Sequence, residues 1–158
     1  RKSFEPRAEE LAKKYALAPY TMFIGSGALW GETILFSMCI LEEMQWKRTR
    51  YITSADFFHG TLELVEPGVP VFLFMGEDEC RALDERVRAF RTRGVTGDTD
   101  INIIDTAEFA IPGLDDEFRV IVSPWILTVL VTDRLARYYE TVTKHNLKYR
   151  RYYHQFDY

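Results

Sequence analysis

Apolar residues in this chain fall into two kinds of run. One kind is short and nearly unbroken: YTMFI at 20–24, RYITS at 50–54, VFLFM at 71–75 and INIID at 101–105. Runs of this length, rich in β-branched and aromatic residues, read as strands, and VFLFM reads as a parallel strand covered on both faces. The other kind recurs every three or four residues. Pro6 followed by Ala8, Leu11, Ala12 and Tyr15 predicts an opening helix, with Pro6 tolerated in its first turn and Pro19 ending it. Residues 28–46 predict a long helix with Ile34, Met38, Leu41 and Met44 on its inner faces. It has almost no polar side, so most of it is expected between layers. Asp56 can cap a short helix running through His59 to Val65, and 77–93 is amphipathic with strong charge pairing. RTRGVTGDTD at 91–100 reads as a loop, and a last helical region covers 115–144 with an interruption near Pro124.

Strand and helix therefore alternate along the chain. The expected fold is α/β: a three-layer, doubly wound, mainly parallel sheet of four to five strands with helices on both faces, of flavodoxin-like type. Residues 1–18 form a leading helix, 19–145 the α/β body and 146–158 a tail, with no internal repeat.

Composition narrows the function classes. The 158 residues are 47% apolar and 15% aromatic, enough to build a real core. A net charge of −4 with acids and bases interleaved argues against nucleic acid or a membrane surface as the main partner. No apolar run approaches the ~18 residues of a bilayer span. Cys39 and Cys80, 41 positions apart, match no metal or redox spacing and read as reduced thiols of a cytoplasmic protein. The chain starts at Arg1, and RKSFEPRAEELAKKYAL reads as a helix already under way, so a fragment or a processed chain is expected.

Three features can carry chemistry. Gly25-Ser26-Gly27 follows a strand and precedes a helix, where backbone N–H groups bind anions. It lacks both the Lys-Ser/Thr ending of a P-loop and the last glycine of a dinucleotide fingerprint. A tight turn, a loop lining a sugar site and a nucleotide site all stay open. Glu42 and Glu43 are the sole carboxylates between Thr33 and Trp46. Either both face water or one points into a pocket, where withdrawal from water would make it a usable base. His59 is a satisfied structural residue or an acid/base group at a strand's carboxyl edge, the place where open α/β sheets bind ligands. On the functional reading Glu43 and His59 would flank one crevice; the residues alone leave both readings open.

The run EEMQWKRTRYITSADFFHGTLELVEPGVP, 42–70, resembles the second sugar-isomerase (SIS) domain of phosphosugar enzymes. The fructosamine-6-phosphate deglycases are the nearer group and the isomerase half of glucosamine–fructose-6-phosphate aminotransferase a more distant one. In that family a helix-borne Glu and the His of a GE-x-x-HGP-x-E stretch act together, sixteen residues apart; Glu43 and His59 keep this spacing, which selects Glu43 over Glu42. The tail HNLKYRRYYHQFDY also looks like a deglycase C-terminus. Asp56 stands where the family has Glu, Thr61 follows His59-Gly60, and the aminotransferase's tail lysine has no counterpart, its place falling near Tyr152.

The resemblance implies a phosphorylated sugar-amine substrate, handled by proton transfer beside a carbonyl with no metal or other cofactor. Glu43 and His59 would be catalytic, and Gly25, Ser26, Gly27, Ser54, Asp56, Arg151 and Tyr152 would contact substrate. It implies a homodimer in which the histidine serves a neighbouring subunit, and a first SIS domain, absent here, carrying the phosphate loop, so that this piece alone is expected to be inactive. Isomerisation, or phosphosugar binding without turnover, are the alternatives.

Overall fold

The computed structural model describes residues 1–91 and 101–157. The loop expected at 91–100 lies, past Arg91, outside the described residues. Four parallel strands form one sheet in the order β2-β1-β3-β4: β1 (Thr21–Gly25), β2 (Thr49–Ile52), β3 (Val71–Met75) and β4 (Ile101–Asp105). After β2 the chain crosses β1 to lay down β3 on its other side, so the order reverses between β1 and β3.

Strand residues alternate between two cores, as a period of two requires. Phe23, Phe72, Phe74 and Ile104 face one side, where α1 (Glu5–Tyr15) supplies Ala8, Leu11, Ala12 and Tyr15. On this side Phe23 stacks on Phe72 at 5.2 Å and meets Phe36 edge-on at 5.5 Å. Met22, Ile24, Val71, Leu73 and Met75 face the other, against Phe57 of α3 (Ser54–Phe57) and Val87 of α4 (Arg81–Arg91). Burying each such side chain contributes about 1.5–3 kcal/mol. The three-layer α/β expectation holds, with four strands among the described residues. No helix there is long and apolar enough to cross a membrane.

Three elements depart from their sequence expectations. The long second helix starts at α2 (Trp30–Ile34) and widens into a π-helix over Leu35–Met44. Thr33 and Ser37 turn their hydroxyls back onto the carbonyls of Leu29 and Thr33, at 2.8 and 2.6 Å, at this junction. Side-chain bonds of that kind compete with the i→i−4 ladder. The wider winding moves the buried face to Phe36, Ser37, Ile40, Leu41 and Gln45, a spacing of four to five. Of the four residues placed inward by a 3.6 period only Leu41 is fully buried; Met38 is 39% exposed.

The short helix after β2 is capped by Thr53, whose side chain accepts from the Asp56 N–H, and it ends at Phe57, short of His59. Asp56 sits in its first turn, where a carboxylate suits the helix dipole. Pro124 does not interrupt α5 (Arg119–Leu130). The Val120 carbonyl that a proline N–H cannot reach is met by the Ser123 hydroxyl at 3.0 Å. The irregularity comes later, as a π-turn over Val131–Leu135 before α6 (Ala136–Thr143).

Candidate active site

Parallel strands put their carboxyl ends on one edge and force every crossover helix back to the other. The carboxyl edge collects Gly25-Ser26-Gly27, Ser54 and the turn after β3. Side chains and backbone there engage one another. Asp78 accepts the Ala28 N–H at 2.5 Å and the Cys80 N–H at 2.9 Å, so a carboxylate of the chain itself sits where the glycine loop offers its N–H groups. Ser26 Oγ accepts the Ser54 N–H at 2.8 Å, and the Ser54 hydroxyl donates to Asp84 at 2.5 Å. Asp84 also takes the Gly76 N–H at 3.2 Å. It is fully buried, and desolvation, partly offset by its bonds to Ser54 and Gly76, pushes its carboxyl up to about 6. Beside it Arg81 clamps Asp105 at 2.6 and 3.0 Å. Burial pushes Asp105 up, but Arg81 and the Ala107 N–H outweigh it and hold the carboxyl below its usual range.

Glu43 is on the opposite edge. Its helix starts at the carboxyl edge and ends at Met44, five residues before β2 begins, close to Arg48, whose carbonyl accepts the N–H of Thr21 at the start of β1. There the tail folds back beside an open cavity of 460 Å³ lined by Glu42, Glu43, Lys47, Arg150, Arg151 and Tyr152, among others. Arg150 pairs with Glu43 at 2.8 Å, and Thr49 donates to Glu42 at 2.5 Å. The Arg151 guanidinium lies 4.2 Å from the Trp46 ring centre, and Trp46 meets His145 at 4.4 Å. Gln45 ties the tail down, donating to the His145 carbonyl at 2.6 Å and accepting from Thr143 at 2.8 Å. Burial and the charges of Glu43 and Glu42 push the Cys39 thiol up, so it is held as a thiol.

Glu43, Arg151 and Tyr152 are thus brought together. His59 is not with them: it is exposed, past the far end of β2, with Gly60 at φ 125 beside it. Within one chain the two proposed catalytic groups stand at opposite ends of the same strand, because a crossover helix must end at the amino edge. Asp56 is exposed and bonded to Thr53 at 2.8 Å. Gly25, Ser26, Gly27 and Ser54 belong to the carboxyl-edge network. Sequence reasoning missed Arg150, Lys47 and Asp84. The first two had a signal, since KR at 47–48 and RR at 150–151 are basic pairs next to residues already singled out.

No family model matches the chain. It is 30% identical to fructosamine deglycase FrlB of Bacillus subtilis over 148 residues, 92% of this chain and 43% of that protein. It is 31% identical to the fructoselysine 6-phosphate deglycase of Escherichia coli over 156 residues, 96% of this chain and 42% of that one. A candidate phosphosugar isomerase from B. subtilis superposes with a TM-score of 0.87 at 30% identity, over 99% of this chain and 47% of that structure. The C-terminal domain of glucosamine-fructose-6-phosphate aminotransferase from Francisella tularensis, 14% identical at TM-score 0.62, shares the fold. The chain spans less than half the length of the curated relatives it matches. It is a homologue of the phosphosugar deglycases and isomerases and has their sugar-isomerase fold.

Proposed function

We propose that this chain is the base-bearing part of a fructosamine-6-phosphate deglycase, with Glu43 as the base. The observation that carries the reading is the cavity at the amino edge, where Glu43 meets Arg151 and Tyr152 of the tail. Two curated relatives about 30% identical carry the deglycase name, which supports the same reading.

The substrate would bear a ketone at C2, an amine on C1 and a phosphate at C6. His59, from a second copy of the chain, moves a proton between ring oxygen and anomeric hydroxyl to open the ring. Glu43 removes a proton from C1, giving an enaminol, and reprotonation at C2 leaves an imine at C1. Water cleaves the imine to glucose 6-phosphate and a free amine. Arg150, 2.8 Å from the carboxylate, keeps Glu43 oriented. A positioned base contributes ~10²–10⁴-fold in rate.

The test is glucose 6-phosphate release from fructosamine 6-phosphates by the full-length protein. Glu43→Gln should lower kcat ~10²–10⁴-fold. Retained activity in that variant removes Glu43 from the mechanism; no release by the wild type removes the deglycase reading. A second reading is favoured by the separation of His59 from the cavity within one chain: the piece alone binds a sugar phosphate without turnover. A thermal shift with sugar phosphates, unaccompanied by release, is its signature.

A further inference from the structure

His59 is placed by its backbone. Its imidazole makes no hydrogen bond, ion pair or ring contact with another described residue, while its N–H bonds the Asp56 carbonyl at 2.8 Å. The histidine therefore sits where α3 puts it. That helix is a single turn, far below the ~12–15 residues at which a helix stands alone in water. What holds it comes from other elements.

Most of the grip comes from α4. Phe57 is fully buried in the same core as Val87 and meets the Phe90 ring edge-on at 5.8 Å. Phe58 meets Phe90 at 6.1 Å and carries the Arg86 guanidinium 4.2 Å from its ring centre. Apolar contacts of this kind hold α3 down without fixing its rotation, because hydrophobic attraction is non-directional. Among the described residues, the directional bonds that reach α3 from other elements fall on Ser54, its first residue. The Ser54 N–H donates to Ser26 Oγ at 2.8 Å and its hydroxyl to Asp84 at 2.5 Å. The other oxygen of Asp84 takes the Gly76 N–H at 3.2 Å, which ties the carboxylate to the end of β3. Asp84 has no exposed surface, so it carries a desolvation penalty that an apolar residue on this face of α4 would avoid. Its two bonds are what it supplies in return.

We infer that Asp84 is a positioning residue for His59: through Ser54 it fixes the rotation of α3, and α3 sets where the imidazole enters the neighbouring copy's cavity. The inference rests on the proposed role of His59 as the group that opens the sugar ring. Asp84 touches no substrate. It lies inside the copy that donates the histidine and keeps one short turn in one orientation. A displacement of ~1 Å at a reacting group lowers a rate by up to ~10²-fold.

The experiment is a double-mutant cycle in the full-length protein, read as kcat and KM for glucose 6-phosphate release. Asp84→Ala should lower kcat ~10–100-fold and change KM less than about twofold. Asp84→Asn, which keeps an oxygen for the Ser54 hydroxyl, should recover most of the loss, and Ser54→Ala should reproduce it. In a His59→Ala background, adding Asp84→Ala should change the remaining rate less than about twofold. An equal loss in both backgrounds, or an unchanged kcat in Asp84→Ala, overturns the inference. Should Asp84→Ala not fold, Ser54→Ala completes the same cycle. The second readout is the imidazole Hε1 NMR signal of His59, identified by its loss in His59→Ala. It should be single in wild type and in Asp84→Asn, and doubled or broadened in Asp84→Ala, with the His145 signal unmoved. A His59 signal that stays single in Asp84→Ala overturns the inference. If His59→Ala keeps full kcat, the proposed role of His59 falls. The NMR comparison then decides the hold of Asp84 on the histidine by itself, a doubled signal supporting it and a single one overturning it.

Discussion

Asp84 is a fully buried carboxylate whose pKa is raised by burial. Its carboxyl, pushed to about 6, is raised above the unfolded value, so the folded chain binds the proton more tightly. Its contribution to stability is therefore full below about pH 4 and is lost as pH rises through about 6. Asn in its place can still accept from Ser54 but cannot lose a proton. The stability difference between wild type and Asp84→Asn, from urea midpoints, should fall by on the order of 2–3 kcal/mol between pH 4 and 7. A flat difference would mean that Asp84 titrates normally. Gly25 makes a second prediction. A Cβ there would run into Thr33 Oγ1, so Gly25→Ala should cost at least ~1 kcal/mol, partly recovered by adding Thr33→Ala. Legibility at this scale was uneven. Glu42 and Glu43 stood out as carboxylates in an apolar helix, and only the resemblance's sixteen-residue spacing to His59 picked Glu43 from the two. Asp84 could not, because an acid in an amphipathic, charge-laced helix reads as solvent-facing; its partners Ser54 and Gly76 are supplied by other loops.

At the scale of elements, the period-two strands and the opening helix were legible because pattern and structure obey the same geometry. The second helix was not, because its pattern was read with 3.6 residues per turn while its backbone winds as a π-helix over Leu35–Met44, next to the Thr33 and Ser37 hydroxyls that bond the carbonyls four residues back. Its π-winding also explains why Gln45, beyond the last π-helical residue, still points inward at 4% exposure. From there Gln45 holds the tail through partners about 100 positions away, which no local pattern encodes. Removing that tie should loosen the tail before the sheet. Gln45→Ala should cost ~1–3 kcal/mol and expose the tail to protease well below the global midpoint. Gln45→Glu, of equal size, sets carboxylate oxygens against the His145 carbonyl and should do no better. If the tail stays protected in both variants, its docking rests on the Trp46, His145 and Tyr149 rings instead.

On the proposed function, in which Glu43 and His59 serve one site, the fold of the whole molecule constrains how they can meet. β2 is four residues long, and the two groups flank its opposite ends, so a site containing both takes them from different copies. A two-fold dimer does this twice, each copy giving Glu43 to one site and His59 to the other. Mixing Glu43→Gln with His59→Ala then has a defined outcome. Full exchange makes half the dimers mixed, each with one site carrying both native groups, so activity should rise from near zero to about a quarter of wild type. The converse mixture sharpens the test. A chain carrying both substitutions, paired with a wild-type chain, spoils both sites if they are shared and leaves one intact if they are not. Added in excess under subunit exchange, monitored by a size tag, it should drive wild-type activity towards zero. A plateau at the level set by the number of wild-type chains would return each site to a single copy, and with it would go the role given to His59.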